Sequence, residues 1–485
     1  MQLNNDTLSS LDTRIQIPSY HRSSLSAGIV HIGIGNFHRS HQAYIIDRYM
    51  QETNSTDWGI CAVGLLPQDE SVCKRMEQQD CLYTLTEKKE DGTVNVRVIG
   101  SIIKCLHAPA DPHITINQMA SKGTRLISLT ITEGGYNFNS STGQFIPDNP
   151  FVRHDIENPG NPLTVFGYLC EALDLRRKTD SGGVTILSCD NIQHNGDILK
   201  KMLLAYISLA NPGLTEWVLE NVAFPNSMVD RITPVPVRED ADLLRHEFQM
   251  EDLCPVVSET FFQWVIEDNF KNRRPLLEQM GVEFVKDVTP YENMKLRLLN
   301  AGHSFIGFLG KRAGYKFIHE AVADTSILNS LMRFYNEEAV PNIDDFTVSE
   351  LNDYINILIG RFGNPFIRDH IDRILAGSSA KIPKFLMPTI SDQIRKGKPS
   401  GLGILIIAAW YCYIKELGDP AEINDEMGAL LFEKVHNQRS GSHMEFIAFT
   451  PVFGNIAKNY SFVNQYEAAL GNLQSQDDDE VRLHD

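Results

Sequence analysis

The sequence has no CxxC pair and no group of cysteines and histidines at the spacing of a zinc site. Structural zinc sites and disulfide frameworks both need closely and regularly spaced cysteines. We therefore expect reduced thiols and a cytoplasmic location. The cysteines are scattered along the chain, namely Cys61, Cys73, Cys81, Cys105, Cys170, Cys189, Cys254 and Cys412.

An excess of positive charge is also missing. The chain has 44 Lys and Arg residues against 62 Asp and Glu residues, which gives a formal net charge of -18. Proteins that bind nucleic acids or anionic membranes use clustered Lys and Arg side chains to displace counterions from phosphates. The charge balance therefore predicts that neither a nucleic acid nor a membrane is a partner.

Long hydrophobic runs are missing as well. The longest one, GLGILIIAAWYCYI at Gly401–Ile414, is shorter than the ~20 residues that a membrane-spanning helix needs. We predict a buried helix there. The N-terminal stretch MQLNNDTLSSLDTRIQIPS has neither the basic region nor the apolar region of a secretory signal, which predicts a protein that is not exported.

The chain does contain a regular alternation of β-branched runs and helical patterns in its first part, which is typical of parallel βαβ units. From about Pro290 onward, helical periodicity takes over. We predict an α/β protein with an open-sheet domain over 1–288, a mostly α-helical domain over 289–472 and an acidic, frayed tail over 473–485. The predicted strands lie within Gly28–Gly33, Trp58–Leu65, Val94–Ile102, Thr124–Thr132, Gly183–Cys189 and Val222–Pro225.

A glycine-rich stretch, HIGIGNFHRSHQ, follows the first predicted strand and precedes a helical pattern. Gly33 and Gly35 match the first two positions of G-x-G-x-x-G, where the backbone can approach a pyrophosphate, but His38 stands at the third. A plain turn remains the alternative, because such a pair of glycines is common. The candidate cofactor-binding residues are Ile32, Gly33, Ile34, Gly35, Asn36, Phe37, His38, Arg39 and, after the next strand, Asp69.

The choice between the two nicotinamide dinucleotides depends on the residues after the second strand. Asp69 is the nearest carboxylate that could bind ribose hydroxyls, a few residues later than usual. Residues 66–69 contain no Arg or Lys that would accept a 2′-phosphate. This favours NAD over NADP.

The helical pattern TPYENMKLRLLNAGHSF carries polar residues among leucines. Thr289 suits an N-cap, Pro290 suits the first helical position, and Glu292 would complete a capping box. At 100° per residue, Lys295, Glu292, His303 and Asn300 fall at roughly 0°, 60°, 80° and 140° on the helix. The polar side chains therefore share one face.

Burial among leucines lowers the pKa of a lysine and makes a neutral amine available as a general base. Asn300 and His303 could then donate hydrogen bonds to an oxygen that gains negative charge. The alternatives are that Lys295 extends to solvent along its apolar stem and that Glu292 only caps the helix.

A second polar group, Asp190 and Asn191 in SCDNIQHNG, follows a buried strand. Ligands of open α/β sheets bind at the carboxyl ends of the strands. Asn191 could therefore face the same crevice as the glycine turn. An Asx turn that closes the strand is the alternative.

Five segments, HIGIGNFHRSHQAY, SLTITEGGY, SCDNIQHNG, FPNSMVDRITP and MKLRLLNAGHSF, together resemble the polyol-specific long-chain dehydrogenase family. The spacing Lys295, four residues, Asn300, two residues, His303 is a hallmark of that family. The likeness covers nearly the whole chain. It implies a metal-free, NAD-dependent enzyme with an N-terminal Rossmann-type domain and a C-terminal helical domain, which oxidises D-mannitol to D-fructose and catalyses the reverse reduction.

The resemblance also implies roles for single residues. Lys295 corresponds to the general acid/base, and Asn191 and Asn300 correspond to the pair that hydrogen-bonds the reacting oxygen. His303 orients the substrate, and Glu292 gates proton exchange between the lysine and water.

Three further positions, Asp230, Arg373 and Lys381, correspond to residues that contact the polyol chain. The sequence departs from the family pattern at Gln68, where a glutamate is common, and in LAGSSAKIPKF, where Gly-Ser-Ser-Ala replaces Asp-Gly-Ser-Ser. The first departure bears on the strictness for NAD and the second on the choice of substrate.

Alternative functions remain open at this point. A reductase for a ketouronate such as fructuronate would use a cation such as Arg373 for the substrate carboxylate, and D-arabinitol or D-sorbitol could replace mannitol. A nucleotide-sensing protein without chemistry would be expected to have lost the lysine, asparagine and histidine, all of which are present. We expect a small polyol or ketose as the partner and a monomeric protein.

Overall fold

The computed structural model describes the backbone of residues 1–139, 142–436 and 442–484, and the side chains of these residues except 442 and 476–484. The chain divides into two compact units, Met1–Thr289 and Pro290–Asp485. Of the predicted tail over 473–485, the backbone continues as a helix to His484, whereas Asp485 and the side chains from 476 onward lie outside the described residues.

All strands assigned in the described residues lie in the first unit. In chain order they are β1 (Ala27–Ile32), β2 (Gly59–Gly64), β3 (Tyr83–Lys88), β4 (Val94–Ile99), β5 (Ile102–His107), β6 (Leu126–Leu129), β7 (Phe138–Asn139), β8 (Gln144–Phe145), β9 (Val184–Ser188), β10 (Val222–Ala223), β11 (Ser227–Asp230), β12 (Val256–Glu259), β13 (Gln263–Glu267) and β14 (Glu283–Val285).

The helices of the first unit alternate with these strands. They are α1 (Asn36–Ser40), α2 (Gln42–Thr53), α3 (Glu70–Gln78), α4 (Pro112–Ala120), α5 (Pro150–Glu157), α6 (Val165–Lys178), α7 (Asn195–Ala210), α8 (Thr215–Asn221) and α9 (Arg238–Glu247).

The main sheet has the strand order β10-β9-β6-β1-β2-β5, and every neighbouring pair is parallel. Written in order along the chain, this is the 3-2-1-4-5-6 arrangement of the Rossmann fold. Strands β2 and β9 are buried along their whole length, as expected for a parallel sheet covered on both faces. The order reverses between β1 and β6, and such a switch point opens a crevice for ligands at the carboxyl ends of the strands.

The predicted strand Val94–Ile102 is wrong in its extent, because the chain turns at Gly100. Its first part is β4, which pairs antiparallel with β3, and its end starts β5 at the edge of the main sheet. The N–H of Gly100 donates to the Asp47 carboxylate at 2.8 Å, and its carbonyl accepts from the Arg22 guanidinium at 3.1 Å. These side chains take the bonds that a continuous strand would give to a neighbouring strand.

The first unit also contains smaller sheets that were not predicted from the sequence. Strands β12, β3 and β4 form one, β11, β13 and β14 form another, and β7 pairs with β8. Most of their pairs are antiparallel or, as for β3 and β12, join segments that are far apart in the sequence, so the alternation along the chain did not reveal them.

The second unit is helical. Its helices are α10 (Thr289–Lys295, whose first residue belongs to the first unit), α11 (Ala301–Arg312), α12 (Ile318–Ala323), α13 (Thr325–Arg333), α14 (Val348–Gly363), α15 (Ile371–Leu375), α16 (Ser378–Phe385), α17 (Met387–Arg395), α18 (Gly401–Glu416), α19 (Gly428–His436), α20 (Ser442–Ile447), α21 (Thr450–Phe453) and α22 (Tyr460–His484). Two short π-helices, Leu296–Asn300 and Phe334–Ala339, interrupt them.

The apolar run at Gly401–Ile414 forms α18, and the prediction of a buried helix is confirmed. Ile404, Ile407, Trp410 and Ile414 belong to the hydrophobic core of this unit, and apolar residues on all sides of a helix are typical of burial. No helix among the described residues is long and apolar enough to cross a membrane.

Candidate active site

The glycine turn lies at the switch point of the sheet. Gly33 has φ +109°, and a methyl group on its Cα would overlap the backbone carbonyl of Thr130 at the end of β6. Only glycine fits such a left-handed, closely packed position. Gly35, by contrast, is exposed, and nothing lies within 4 Å of where its Cβ would be. The turn therefore leaves backbone accessible just before α1.

His38, at the third glycine position, faces inward. Its ring stacks on His31 of β1 with centroids 3.3 Å apart, and His31 in turn hydrogen-bonds Ser128 at 2.7 Å and Thr130 at 2.9 Å. Burial lowers the pKa of His38 to about 3, so the stacked rings are neutral. A packed pair of histidines thus replaces the close helix–strand contact that the third glycine usually allows.

The remaining side chains of the turn stabilise it from inside. The Arg39 guanidinium donates to the carbonyl of Cys254 and to Asn36 Oδ1, each at 2.6 Å. Phe37 stacks on His41 with centroids 5.0 Å apart. Of the predicted cofactor-binding residues, Ile32, Ile34, His38 and Arg39 have buried side chains, so only their backbone could reach a ligand.

Asp69 lies at the carboxyl end of β2, the neighbour of β1. A methyl group on Gly64, the last residue of β2, would stand 2.6 Å from Asp69 Cβ. Asp69 Oδ2 accepts the N–H of Leu66 at 2.9 Å, which fixes the 3₁₀ turn Pro67–Asp69. Only this oxygen is engaged in the described part of the chain, so Oδ1 can still accept from a hydroxyl.

These features fit a dinucleotide. An open glycine turn after β1 and a carboxylate after β2 stand at adjacent strand ends, where Rossmann proteins bind a pyrophosphate and a ribose. Gly33, Gly35 and Asp69 are the residues that would hold these groups.

Asp190 and Asn191 have different surroundings after β9. The Asp190 carboxylate accepts from the N–H groups of Ile131 and Thr132 at 3.1 and 2.8 Å and from the Tyr136 hydroxyl at 2.7 Å. It therefore ties the end of β9 to the segment after β6. Asn191 is exposed next to it.

Asp230 is the buried last residue of β11. The next residue, Arg231, was not predicted from the sequence to have a role. Its guanidinium donates to Glu87 at 2.6 Å, to the carbonyl of Ser40 at 2.5 Å and to the carbonyl of Glu259 at 2.8 Å. Arg231 thus fixes the backbone beside Asp230 from several directions.

In the second unit, Lys295 and Glu292 are buried, with 6% and 4% of their surfaces exposed. Lys295 ends α10, and Asn300 ends the π-helix that follows. The Oδ1 atom of Asn300 is buried and has no hydrogen-bond partner among the described residues. A buried polar atom without a partner costs free energy, so it marks a position where a ligand hydroxyl or amine would be favourable.

His303 lies on α11 and is buried, with its ring 4.5 Å from that of Phe362. Its Nε2 is 3.8 Å from Oδ2 of Asp369. Asp369 also accepts two hydrogen bonds from Arg373, from Nε at 2.8 Å and from Nη2 at 2.7 Å. This buried carboxylate connects two predicted site residues, and its i,i+4 spacing from Arg373 is the sequence signal that could have revealed it.

Lys381 lies on α16 and donates to the carbonyl of Ile374 at 3.0 Å. Burial, and to a smaller extent the charge of Arg373, lowers the pKa of Lys381 to about 8. Near neutral pH, this amine therefore loses its proton more readily than an ordinary lysine.

The structure thus groups the predicted site residues by unit. The glycine turn, Asp69, Asn191 and Asp230 belong to the first unit. Glu292, Lys295, Asn300, His303, Arg373 and Lys381 belong to the second.

The strand order and the glycine turn define a Rossmann-type dinucleotide-binding protein with a separate helical unit. The family model described as the mannitol dehydrogenase Rossmann domain matches residues 27–279, and the one described as the mannitol dehydrogenase C-terminal domain matches residues 287–474. The chain belongs to the mannitol dehydrogenase family.

Curated relatives match over most of their length. The chain is 40% identical over 481 residues to mannitol 2-dehydrogenase of Phaeosphaeria nodorum, which covers 98% of the chain and 84% of the relative. It is 42% identical over 435 residues to mannitol dehydrogenase DSF1 of Saccharomyces cerevisiae, covering 88% of the chain and 86% of the relative.

Two solved structures have the same fold. The ternary complex of Pseudomonas fluorescens mannitol 2-dehydrogenase with NAD and D-mannitol matches with a TM-score of 0.88 and 38% identity, over 98% of this chain and 97% of that one. A substrate-free D-sorbitol dehydrogenase matches with a TM-score of 0.81 and 34% identity, over 96% of this chain and 100% of that one.

Proposed function

We propose that the chain is an NAD-dependent dehydrogenase that interconverts D-mannitol and D-fructose. The main support is the similarity over nearly its whole length to mannitol 2-dehydrogenases, one of them solved with NAD and D-mannitol. The residues at the carboxyl ends of β1 and β2 fit the dinucleotide, and the absence of Arg and Lys from residues 66–69 favours NAD.

The proposed reaction is a proton transfer coupled to a hydride transfer. Bound NAD supplies a nicotinamide ring that accepts a hydride. Neutral Lys295 removes the hydroxyl proton of the carbon that loses the hydride, so that a carbonyl forms and the lysine becomes charged. Asn191 and Asn300 donate hydrogen bonds to the oxygen as negative charge develops on it. In the reverse direction, charged Lys295 protonates the ketose oxygen.

The other assigned side chains bind and orient the substrate. His303, Asp230, Arg373 and Lys381 contact the polyol, and Glu292 passes protons between Lys295 and water. Because only the deprotonated amine can accept a proton, polyol oxidation rises with pH, and ketose reduction is favoured at lower pH.

A neutral substrate suits the second unit better than a ketouronate does. The Nε and Nη2 atoms of Arg373, which form one of its two bidentate edges, already donate to Asp369, so that this carboxylate balances the charge of the guanidinium. Lys381 is half-buried and its pKa is lowered to about 8, so its positive charge is less stable than that of an ordinary lysine. A substrate carboxylate binds most strongly to a cation whose charge is not already balanced within the protein, so the pairing of Arg373 with Asp369 supports a polyol over fructuronate.

Replacing Lys295 tests the proposed chemistry. We expect Lys295→Ala to lower kcat for D-mannitol oxidation by about 10²- to 10⁴-fold, since a positioned general base contributes that much. NADH binding, measured by fluorescence titration, should stay unchanged. The matched control is Lys311→Ala on α11, whose amine pairs with Asp372 at the surface.

Two results would contradict the proposal. Lys295→Ala could keep most of the wild-type kcat, which removes the lysine from the reaction. Alternatively, kcat/KM of the wild type could be higher for D-fructuronate than for D-fructose with NADH, or higher for D-sorbitol or D-arabinitol than for D-mannitol with NAD. Either result would mean that the proposed substrate is wrong.

A further inference from the structure

The helical stretch that contains the family hallmark is not a regular α-helix. Helix α10 ends at Lys295, the π-helix Leu296–Asn300 follows, and α11 begins at Ala301. The N–H of Ala301 donates to the carbonyl of Leu296, five residues earlier. Short π-helical turns are rare and occur frequently at functional sites.

The π-turn changes the direction in which Asn300 points. In a regular α-helix, five residues rotate the side chain by about 140° relative to the first one. A turn with i→i+5 hydrogen bonds contains more residues, so the fifth residue returns toward the face of the first. Lys295 and Asn300 are separated by five positions and flank this turn, which therefore brings them toward one face.

Tyr335 binds the π-turn directly. Its hydroxyl donates to the carbonyl of Leu298 in the middle of the turn at 2.9 Å. The side chain is completely buried, and burial raises the pKa of Tyr335 well above its usual value, so the hydroxyl keeps its proton and stays a donor.

Gly302 makes room for this contact. A methyl group on Gly302 would overlap the phenolic oxygen of Tyr335 and would stand 2.9 Å from its Cζ atom. Any other residue at 302 would therefore push the tyrosine away from the π-turn.

Tyr335 is itself held in place, because it belongs to the second π-helix, Phe334–Ala339. Glu338 of that segment accepts from the N–H groups of Leu402 and Gly403, at 2.8 and 2.9 Å, at the N-terminus of α18. A carboxylate at this position is stabilised by the unpaired N–H groups and by the helix dipole. The tyrosine is therefore anchored to a buried helix of the core.

We propose that Tyr335 is a positioning residue for the reaction: its hydroxyl holds the π-turn Leu296–Asn300, which sets the orientation of Lys295 relative to Asn300. This inference rests on the roles proposed above for Lys295 and Asn300. Tyr335 acts through the backbone and not by contact with the substrate.

The test is Tyr335→Phe, which removes one oxygen. We expect kcat for D-mannitol oxidation to fall about 10- to 100-fold, because small displacements of reacting groups have effects of that size. The KM for NAD should not change, and the pH at which oxidation reaches half of its maximum should shift, because the surroundings of the amine change.

Tyr466→Phe is the matched control. Tyr466 lies in the same unit and is fully buried, and its hydroxyl has no hydrogen-bond partner among the described residues. This variant should keep the wild-type kcat and pH profile. An equal loss in both variants would show that removing any buried hydroxyl is enough, which would overturn the inference.

A double-mutant cycle adds a second test. Gly302→Ala alone should lower kcat, because the new methyl group displaces the tyrosine. In the Tyr335→Phe background the most crowded atom is gone, so the same substitution should cost less. If the fold-loss in kcat of the double variant equals the product of the two single losses, the two positions act independently. That result would contradict the proposal.

The inference can fail separately from the proposed function. If Tyr335→Phe lowers only the thermal stability and leaves kcat and the pH profile unchanged, Tyr335 is structural and the inference is wrong, while the function stands. If the wild type oxidises no polyol, the function is wrong. In that case, a crystal structure of Tyr335→Phe tests whether the Tyr335 hydroxyl holds the π-turn. An unchanged π-turn would show that it does not.

Discussion

Asp369 was not among the residues expected to touch substrate, but it contacts two residues that were. Its carboxylate accepts from Nε and Nη2 of Arg373 and lies near His303. The positive charge of Arg373 is therefore balanced within the protein. This pairing leaves little attraction for a negatively charged substrate.

Neutralising this carboxylate should change the preference for charged substrates. In Asp369→Asn the shape is retained, but the Arg373 guanidinium loses its charged partner. We expect the ratio of kcat/KM for D-fructuronate to that for D-fructose to rise by about tenfold, which corresponds to ~1.4 kcal/mol. Steady-state assays with NADH measure this ratio.

Asp372→Asn is the control for that measurement. Asp372 lies three residues away, is largely exposed and pairs with Lys311. Its replacement should leave the ratio unchanged. If Asp369→Asn also leaves the ratio unchanged, the pairing of Arg373 does not determine the preference.

Single residues were predictable where their chemistry depends on neighbours in the sequence. The left-handed Gly33 and the buried Lys295 both lie in short motifs that indicate their surroundings. His38 could be identified only as a departure from the glycine pattern. The motif contains both His31 and His38, but no feature of the sequence shows that their rings stack. Tyr335 is far from the π-turn in the sequence, and its neighbouring residues do not indicate that it contacts this turn.

At the scale of elements, Asp47 links α2 to the turn between β4 and β5. Its Oδ1 atom accepts from the Tyr20 hydroxyl at 2.5 Å and from the N–H of Gly100 at 2.8 Å. The Oδ2 atom is buried without a partner in the described residues. Burial therefore raises the pKa of Asp47 to about 6.

This raised pKa predicts the direction in which the free energy of unfolding changes with pH. Between pH 3.8, the ordinary value, and about 6, the folded state keeps a proton that the unfolded state has lost. The free energy of unfolding therefore falls as pH rises through this window, by ~3 kcal/mol from this group. Asp47→Asn should lack this decrease, because asparagine keeps the accepting oxygen and cannot ionise.

Urea unfolding of both proteins at pH 4, 5, 6 and 7 checks the prediction. The difference between the two proteins isolates Asp47 from the other titrating groups. A difference that stays constant over this range would mean that the carboxyl group ionises with its ordinary pKa in the folded state.

Elements were predictable where periodicity determines them. Strands β2 and β9 lie within the predicted segments, and β1 and the apolar helix α18 overlap theirs to within two residues at each end. The π-turn at Leu296–Asn300 was not predictable, because no residue type in LRLLN distinguishes i→i+5 from i→i+4 hydrogen bonds. Tertiary contacts, including that with Tyr335, select between them.

At the scale of the whole molecule, the features that fit the dinucleotide all belong to the unit Met1–Thr289. A ligand that binds only the folded state stabilises it, by ~2.7 kcal/mol at a concentration of 100 Kd. We expect NAD to raise the melting temperature more than NADP at the same concentration. Differential scanning fluorimetry measures both shifts.

Asp69→Ala provides the variant for that experiment. It should reduce the shift caused by NAD, because the proposed contact with the ribose hydroxyls is lost. Asp148→Ala, which removes an exposed carboxylate from the same unit, should not. If both variants respond to NAD like the wild type, Asp69 does not bind the cofactor.

The two-part organisation was predictable because the change from alternating runs to helical periodicity extends over hundreds of residues. The positions of β3 and β12, which pair across a long stretch of sequence, were not, because such pairing leaves no periodic trace. The overall class therefore follows from averages over the chain, whereas the details that shape the site depend on single distant contacts.

The close packing of Gly302 against the Tyr335 oxygen also limits how these two positions can change together. In a library randomised at both, active clones should combine tyrosine at 335 only with glycine at 302. Clones with alanine or serine at 302 should survive only where the aromatic hydroxyl has been lost. The two positions should therefore covary, although 33 residues separate them in the sequence.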